Sequence, residues 1–431
     1  MSELKRRMGL FGTTMYGVGL ILGAGIYVLI GQATGLAGNM VWVSFVFGAV
    51  AAIFSGLSYA ELSPMFPKSA AEFLFVKNAF KNNFLAFIIG WMTLFTSIIS
   101  ASTVALGFGG YLAGFVGAPV ILSAVSLISL LSLINFIGIR ESSWMNIIFT
   151  LIEAAGLILI VYLGFTYGGT EPVNYFESPT GLTGISLAFV LIFFAFIGFE
   201  DIVNIAEEIK NPKKVLPRAI ILSISITATI YVLVSLAAIQ VLNLQELGSS
   251  FAPLADVAKK ALGNNGQFIL SIIALFATAN TVLIILLAGS RIIYGMAALQ
   301  SLPQLWSRIH YKTKTPWIAV LGIMITSIIF SFLGNIVTVA NISIFFISIT
   351  FAMVNLSVIL LRYREPVMER PFKIPINIGR FPLLPLFGVI ISAFMMTQFN
   401  VYVVSVGIGV IGAGALFYAL FKKHMNKDLQ S

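Results

Sequence analysis

The chain has 431 residues and a formal net charge of +9, and 59% of its residues are hydrophobic while only 10% are charged. The surface of a soluble protein of this length requires more charged side chains than these. The composition therefore predicts a protein that crosses a membrane many times. The absence of cysteine excludes disulfide bonds, thiol catalysis and thiolate metal sites.

Apolar runs of about 20 residues, the length that crosses a hydrocarbon core, recur along the whole chain. They predict an all-α membrane protein with twelve transmembrane helices. In chain order, the predicted helices cover residues 9–33, 40–62, 84–114, 119–138, 143–166, 183–203, 217–241, 266–297, 316–334, 336–361, 381–399 and 401–421.

Lysine and arginine are distributed unevenly over the loops between these helices. Of the 25 lysine and arginine residues, all but Lys259 and Lys260 lie on the cytoplasmic side if the N-terminus is cytoplasmic. This bias predicts a multi-pass protein with both termini in the cytoplasm, and the short loops and tails indicate a prokaryotic plasma membrane. The positive charge is therefore an orientation signal, and no nucleic-acid partner is predicted.

The first predicted helix contains an unusual number of glycines around the stretch "LILGAGIYVLIG". A glycine inside a helix costs about 1 kcal/mol relative to alanine, yet Gly17, Gly19, Gly23 and Gly25 fall within nine residues. This pattern predicts that the helix is interrupted at Gly23–Gly25. The alternative is that the glycines form a small-residue face against a neighbouring helix.

Carboxylates occur inside the fifth and sixth predicted helices. Glu153 lies near the middle of "NIIFTLIEAAGLILIVYLG", and Glu200 and Asp201 lie in the inner part of "LIFFAFIGFEDIV". A charge at the bilayer centre costs about 2.5–3.5 kcal/mol on insertion scales, so such residues face a partner or a water-filled cavity. The sixth helix also has a weaker break around Ile197–Gly198.

The second interrupted helix comes five helices after the first, an odd number, so the two halves of the chain have opposite orientations in the membrane. Paired interrupted helices in an inverted repeat are typical of secondary transporters. We therefore expect a first five-helix repeat at 9–166, a second inverted repeat at 183–361, and two additional helices at 381–421.

Several stretches carry a resemblance to a known family. They are "GAGIYVLIG", "SYAELSPMFPKSAAEF", "FAFIGFEDIVNIAEEIKNPKKVLPRAI", "GSRIIYGMAALQSLP" and "RYREPVMERPFKIP". Over nearly its whole length the chain resembles the amino acid–polyamine–organocation superfamily of transporters. The run "NFIGIRESSWMNIIFTLIE" is similar to the cationic amino acid transporter branch and its prokaryotic relatives. The resemblance implies the five-plus-five inverted-repeat fold also seen in leucine transporters.

An interrupted helix exposes backbone groups that lipid does not satisfy. Free N–H groups after the first break, with the positive end of a helix dipole, suit a carboxylate, and free carbonyls before it and in the sixth helix suit an ammonium group. An α-amino acid carries both groups, and the resemblance implies the same positions for them. The predicted substrate-binding residues are Ile21, Gly23, Ala24, Gly25, Ile26, Phe194 and Ile197.

Two gating residues are predicted from the resemblance. Phe194 occupies the place of an aromatic side chain that closes over the substrate, although phenylalanine facing lipid is an alternative. Glu200 matches an acidic position at the inner end of the substrate path. It is interpreted as a gate, with a plain helix-end carboxylate as the alternative.

Glu153 is the principal candidate for ion coupling. It stands where some proton-coupled members of the superfamily carry a lysine, and we expect it to take up and release a proton. Two other roles stay open: a sodium ligand together with the polar group of the eighth helix that includes Asn280 and Thr281, or a neutral structural carboxyl.

These observations predict a secondary active amino acid transporter that works by alternating access and is proton-coupled, and not an enzyme. A sodium-coupled symporter, an exchanger, a sensor built on a transporter fold and a channel are the alternatives. The expected partners are an amino acid, a proton or sodium, and the lipid bilayer, with no cofactor and no bound metal. The protein is expected to be a monomer or weak homodimer, and cationic and neutral substrates both stay open.

Overall fold

A computed structural model describes residues 8–68, 70–137, 142–168, 172–250, 252–313, 315–333 and 335–425. The terminal segments predicted to be cytoplasmic, 1–7 and 426–431, lie outside the described residues, as does part of the run "NFIGIRESSWMNIIFTLIE", residues 138–141.

The described residues are almost entirely helical. The α-helices are α1 (Leu10–Leu22), α2 (Ala24–Ala37), α3 (Val41–Leu62), α4 (Ala71–Phe80), α5 (Asn83–Val116), α6 (Val120–Ile137), α7 (Ser142–Tyr167), α8 (Gly181–Phe193), α9 (Pro212–Val241), α10 (Leu244–Ser249), α11 (Pro253–Ala298), α12 (Trp317–Ser331), α13 (Ile336–Arg364), α14 (Leu383–Met396) and α15 (Val401–Met425). Short 3-10 helices cover Gly38–Met40, Phe194–Phe196, Phe199–Glu208 and Gln304–Ser307. One antiparallel hairpin joins β1 (Asn377–Ile378) to β2 (Phe381–Pro382).

Within the described ranges, nine helical stretches have the length and composition to cross a membrane. The first of them, Leu10–Leu62, contains α1, α2 and α3, and α12 and α14 are shorter apolar helices of 15 and 14 residues. The structure is thus that of a helical membrane protein.

Two features differ from the sequence-based expectation. The eighth predicted helix, 266–297, is the second part of a longer helical run, because α11 begins at Pro253 and bends at Gly263, where φ is +70°. The hairpin formed by β1 and β2 lies between α13 and α14, where no strand is predicted, and the turn at Gly379 (φ +61°) permits it.

The first interruption lies at Gly23. The helix α1 ends at Leu22 and α2 begins at Ala24, and Gly23 between them has a ψ of −144°, which is not helical. A side chain at Gly23 would collide with Thr281 of α11, since a Cβ there would lie 1.8 Å from the Thr281 Oγ1. The backbone therefore departs from the helix at a point where α11 approaches it closely.

The second interruption follows α8. After the 3-10 turn Phe194–Phe196, Ile197 is extended, and Gly198 has a φ of +127°, a conformation that favours glycine. The chain then continues as a 3-10 helix to Glu208. The weak break expected around Ile197–Gly198 is thus a change of backbone conformation over both residues.

The glycines of the first segment also pack closely against other elements. A Cβ on Gly25 would lie 2.4 Å from the Cα of Ala195, and a Cβ on Gly17 would lie 2.4 Å from the side chains of Ile202 and Ser223. The interruption and the small-residue packing face, which the sequence offers as alternatives, therefore occur together.

The interrupted segments lie at the centre of the protein. The helix α1 packs against α9 and α7, and α2 packs against α8, while α5 and α11 form an extensive contact on the other side. Both interruptions are thereby enclosed by helices and shielded from lipid.

Candidate binding site

A small cavity lies where the two interrupted segments meet α5 and α11. It is bounded by the end of α1, the start of α2, the 3-10 turn after α8, and polar and apolar side chains of α5 and α11. The predicted site residues that line it are Ile21, Ala24, Gly25, Phe194, Ile197, Glu200 and Thr281. The predicted residues Gly23, Ile26, Glu153 and Asn280 lie around this cavity without lining it.

The cavity has a volume of about 30 Å³, which corresponds to one or two water molecules. Sites for small organic ligands have volumes of about 300–1,000 Å³. The structure is therefore closed around the interruptions, and a ligand larger than water requires the surrounding helices to separate.

Tyr231 of α9 connects the two interruptions. Its hydroxyl is within hydrogen-bonding distance of the carbonyl of Ile21, which precedes the first break, and 3.1 Å from the carbonyl of Ala195, in the second. The Tyr231 ring is fully buried between Phe196 and Phe45, with centroid distances of 5.3 and 5.7 Å. The single hydroxyl proton of Tyr231 is thus shared between, or donated in turn to, one carbonyl from each broken segment.

The sequence analysis did not identify Tyr231. A buried tyrosine hydroxyl requires a polar partner, so a tyrosine within the apolar run of α9 does signal a polar contact. Nothing in the local sequence specifies that the partners are carbonyls of segments about 210 and 36 residues away.

Glu200 stabilises the second interruption. Its carboxylate accepts a hydrogen bond of 2.9 Å from the backbone N–H of Gly198, and its side chain is buried. The carboxyl lines the cavity through this contact. Glu200 thus lies at the backbone break itself, not at a plain helix end in water.

Phe194 is buried, with 6% of its surface exposed, and it lines the cavity. The alternative in which this phenylalanine faces lipid is therefore wrong. It lies on the 3-10 turn between α8 and Ile197, and Ala195 beside it contacts Gly25.

Glu153 lies behind the first interruption and is fully buried in α7. Asn280 of α11 donates a hydrogen bond of 3.4 Å to one carboxyl oxygen, and Tyr27 of α2 donates one of 2.9 Å to the Glu153 carbonyl. The other carboxyl oxygen has no hydrogen-bond partner in the part of the chain that the structure describes. The structure therefore brings Glu153 and Asn280 together. Thr281, the residue after Asn280, packs against Gly23 instead.

The polar residues of α5 mostly bond to backbone carbonyls or, in one case, to a side chain of α13. Ser100, which lines the cavity, shares a hydrogen bond of 2.7 Å with Ser343 of α13. Ser102 donates to the carbonyl of Ser327, and Thr103 to that of Ile99. Only Ser100 of these three reaches the cavity.

A further buried carboxyl, that of Glu72, lies on the short helix α4, between membrane-spanning stretches. Glu72 is 1% exposed, and its Oε1 has no hydrogen-bond partner among the described residues. Burial raises the pKa of Glu72 to about 8, and the negative charge of Asp201 contributes to this rise. The sequence analysis did not single out this residue.

Comparison with known proteins identifies the family. The family described as "Amino acid permease" matches residues 8–420, which is nearly the whole chain. The interruptions, the cavity and Glu153 all fall within the matched region.

Individual relatives are transporters with different named substrates. The chain is 28% identical to the branched-chain amino acid permease BcaP of Bacillus subtilis, over 99% of this chain and 95% of the relative. It is 29% identical to the methylthioribose transporter of the same organism, over 98% and 95%. It is 30% identical to the mouse cationic amino acid transporter 4, over 84% of this chain and 61% of that protein.

Proposed function

Because this chain belongs to the amino acid permease family, and its relatives are named as transporters and not as enzymes, we propose that it is a secondary active amino acid transporter that works by alternating access. The substrate is held by its α-carboxylate and α-ammonium groups on the unwound backbone of the two interrupted segments.

The observation that carries this proposal is the meeting of both interruptions at one cavity. Ala24 and Gly25 begin α2 there, and the N–H groups of the first turn of a helix attract a carboxylate. The carbonyl of Ile21 lies in the last turn of α1 on the opposite side of the break, and Ile197 lines the cavity from the second segment. A zwitterion matches this separation of donors from acceptors.

Transport requires the closed cavity to open. A cavity of about 30 Å³ does not hold an amino acid, so binding must separate the interrupted segments from α5 and α11. Phe194 and Glu200 line the cavity on the second interrupted segment, and we assign them the gating movement.

The lining favours an aliphatic substrate side chain. Leu20, Val104, Phe194 and Ile285 present apolar surface to the cavity, and one relative is named for branched-chain amino acids. A cationic substrate is the second candidate. It is favoured by the carboxyl of Glu200 in the cavity lining and by the relative named as a cationic amino acid transporter.

Proton coupling is assigned to Glu153. A fully buried carboxyl with one oxygen unpaired, next to the first interruption, is suited to gain and lose a proton as the surrounding helices move. Sodium coupling, with Asn280 and Thr281 as further ligands, and exchange without an ion are the alternatives.

The proposed architecture has twelve spans, counted by separating α1–α2 from α3 and by including α12 and α14. The two inverted repeats cover 9–166 and 183–361, and 381–421 follow them. Both termini lie in the cytoplasm, the location is the plasma membrane, and the protein is a monomer or weak homodimer.

Uptake by the purified protein in liposomes tests the proposal. A panel of the twenty amino acids is assayed at two pH values, with and without sodium, against protein-free liposomes. We expect saturable and stereoselective uptake of a subset of amino acids that is driven by an inward proton gradient. Non-saturable flux without stereoselectivity would indicate a channel and would contradict the proposal.

A further inference from the structure

A second and larger cavity lies away from the interruptions, at the end of α13. It has a volume of about 310 Å³ and is lined by four basic residues and one proline. These residues are Arg362, Pro366, Arg370, Lys373 and Arg380. The distribution of lysine and arginine predicts that this side of the protein faces the cytoplasm.

The two deeper arginines are held in place by one carboxylate. Glu61, at the end of α3, accepts a hydrogen bond of 2.9 Å from the Nε of Arg362, and the Nε of Arg370 lies 3.4 Å from the same carboxyl oxygen. Glu61 and Arg362 are both almost fully buried. Arg370 also donates to the carbonyls of Leu361 and Glu365. The floor of the cavity is therefore rigid.

The two outer cations have no such partner. Lys373 and Arg380 are exposed, and neither forms a hydrogen bond or ion pair within the described ranges. The nearby carboxylates of Glu365 and Glu369 pair with Lys81 and Lys213 instead. Of the four cations that line the cavity, only Arg362 and Arg370 contact a carboxylate, that of Glu61, so the cavity carries an excess of positive charge.

Exposed apolar side chains lie within a few residues, along the chain, of those that line the same cavity. Val367, next to Pro366, is 95% exposed, and Ile376 and Ile378 on the adjoining hairpin are 60% and 68% exposed. The hairpin leads directly into the apolar helix α14. Ile376 also adopts a φ of +62°, which is unfavourable for a β-branched residue. Apolar and cationic groups therefore lie together where the chain enters the membrane.

We infer that this cavity binds the phosphate group of an anionic phospholipid. Lys373 and Arg380 contact the phosphate oxygens, Arg362 and Arg370 supply positive potential from below, and Val367, Ile376 and Ile378 lie against the lipid around the headgroup. The apolar rim distinguishes this site from one for free phosphate, which would gain nothing from exposed isoleucine and valine.

The test compares lipids that differ in charge, using the full-length protein purified in detergent. Phosphatidylglycerol, phosphatidylcholine, and the water-soluble glycerol 3-phosphate and inorganic phosphate are added separately, and the thermal unfolding midpoint is measured. We expect phosphatidylglycerol to raise the midpoint by at least about 3 °C more than phosphatidylcholine does, and added salt to reduce this difference.

Equal effects of the two lipids would overturn the proposal. If either soluble phosphate reproduced the shift, the site would be one for free phosphate, and the lipid proposal would be wrong.

A matched pair of double variants locates the effect. The variant K373Q/R380Q removes the outer cations of the cavity, whereas K214Q/R218Q removes one lysine and one arginine that are also exposed, on the first turns of α9. Both variants should unfold at the wild-type midpoint in phosphatidylcholine, because none of these four side chains is buried. We expect only K373Q/R380Q to lose most of the phosphatidylglycerol-specific shift. An equal loss in both variants would indicate non-specific charge attraction and would contradict the site.

Discussion

The hydroxyl of Tyr231 lies within hydrogen-bonding distance of two backbone carbonyls, one from each interrupted segment. The carbonyl of Ile21 is also the expected acceptor for a substrate ammonium group. We therefore propose Tyr231 as a positioning residue, which fixes the direction of a carbonyl without needing to contact the substrate itself.

The substitution Tyr231→Phe should weaken substrate binding by about tenfold. It removes the hydroxyl that holds the Ile21 carbonyl in its direction, so the carbonyl can turn away from the ammonium group, and the loss of one such hydrogen bond corresponds to about 0.5–1.5 kcal/mol. The readout is the apparent affinity in uptake assays, with Tyr162→Phe as the control, since Tyr162 on α7 is 59% exposed. An unchanged affinity in a folded Tyr231→Phe protein would show that the carbonyl does not depend on this hydroxyl.

Glu153 allows binding and coupling to be separated. The substitution Glu153→Gln keeps the size of the side chain and a hydrogen-bonding group for Asn280 but cannot release a proton. We expect the variant to bind substrate with an affinity within about threefold of wild type, because Glu153 does not line the cavity, and to lose acid-driven uptake. Uptake that kept the wild-type dependence on pH would exclude Glu153 as the proton carrier.

Glu72 predicts a dependence of stability on pH. Its pKa is raised from the ordinary 4.5 to about 8. Below about pH 4.5 the carboxyl is protonated in the folded and unfolded states alike. Between these two values only the folded state retains the proton, so the free energy of unfolding falls as the pH rises and has reached its low value above pH 8.

The substitution Glu72→Gln should remove this dependence. We expect the variant to match wild type near pH 4.5 and to be more stable at pH 9, by at most about 5 kcal/mol. Unfolding midpoints at both pH values measure the effect, and Glu177→Gln, at an exposed position, is the control. Tyr59 and the carboxyls of Glu200 and Asp201 also influence the protonation of Glu72. The quantity compared is therefore the difference in unfolding midpoint between variant and wild type at each pH. A variant that was not more stable at pH 9 would show that Glu72 is not buried as a neutral acid.

At the scale of single elements, the interruptions depend on close contact as well as on broken hydrogen bonding. The start of α2 lies against the 3-10 turn after α8, where Gly25 leaves no room for a side chain next to Ala195. The relative position of the two segments is therefore set by backbone packed on backbone.

The substitution Gly25→Ala should separate the segments and impair transport. A methyl group 2.4 Å from the Cα of Ala195 must displace one segment, at a cost of about 1–3 kcal/mol. The control is Gly12→Ala in α1, where the nearest atom to a Cβ is 4.0 Å away, and where alanine should preserve or raise stability. We expect uptake to fall at least tenfold in Gly25→Ala alone. Equal activity of the two variants would show that this contact does not matter.

The sequence predicts the interruptions well because their cause is local. The cluster Gly17–Gly25 marks the first break, and Ile197–Gly198 marks the second, since only glycine readily adopts a φ of +127°. It predicts the lining of the cavity only in part, because partners from α5, α9 and α11 are distant in the chain. Tyr231 and Glu72, which do not line the cavity, are also missed, because the groups that act on them, such as Ile21 and Asp201, are distant in the chain. The carboxyl of Glu153 is found from its position inside an apolar run, while its coupling role and that of Asn280 come from the resemblance to a known family.

At the scale of the whole molecule, the closed cavity and the enclosed interruptions form one arrangement. Helices surround both breaks, so the unpaired backbone groups meet polar partners and not lipid. In the proposed mechanism of alternating access, a substrate reaches the cavity only after a movement of helices, and the small cavity of this structure corresponds to a closed state.

The central claim is that bare backbone at two interrupted segments binds both charged groups of an amino acid. The most direct test measures competition against a transported amino acid by three of its analogues: the methyl ester, which lacks the carboxylate, the N-acetyl derivative, which lacks the ammonium group, and the form with a shortened side chain. The account predicts that the first two lose binding by at least about a hundredfold, since each leaves a buried cluster of backbone groups unpaired, while the third loses much less. Competition by the ester or the N-acetyl analogue at the affinity of the free amino acid would contradict it.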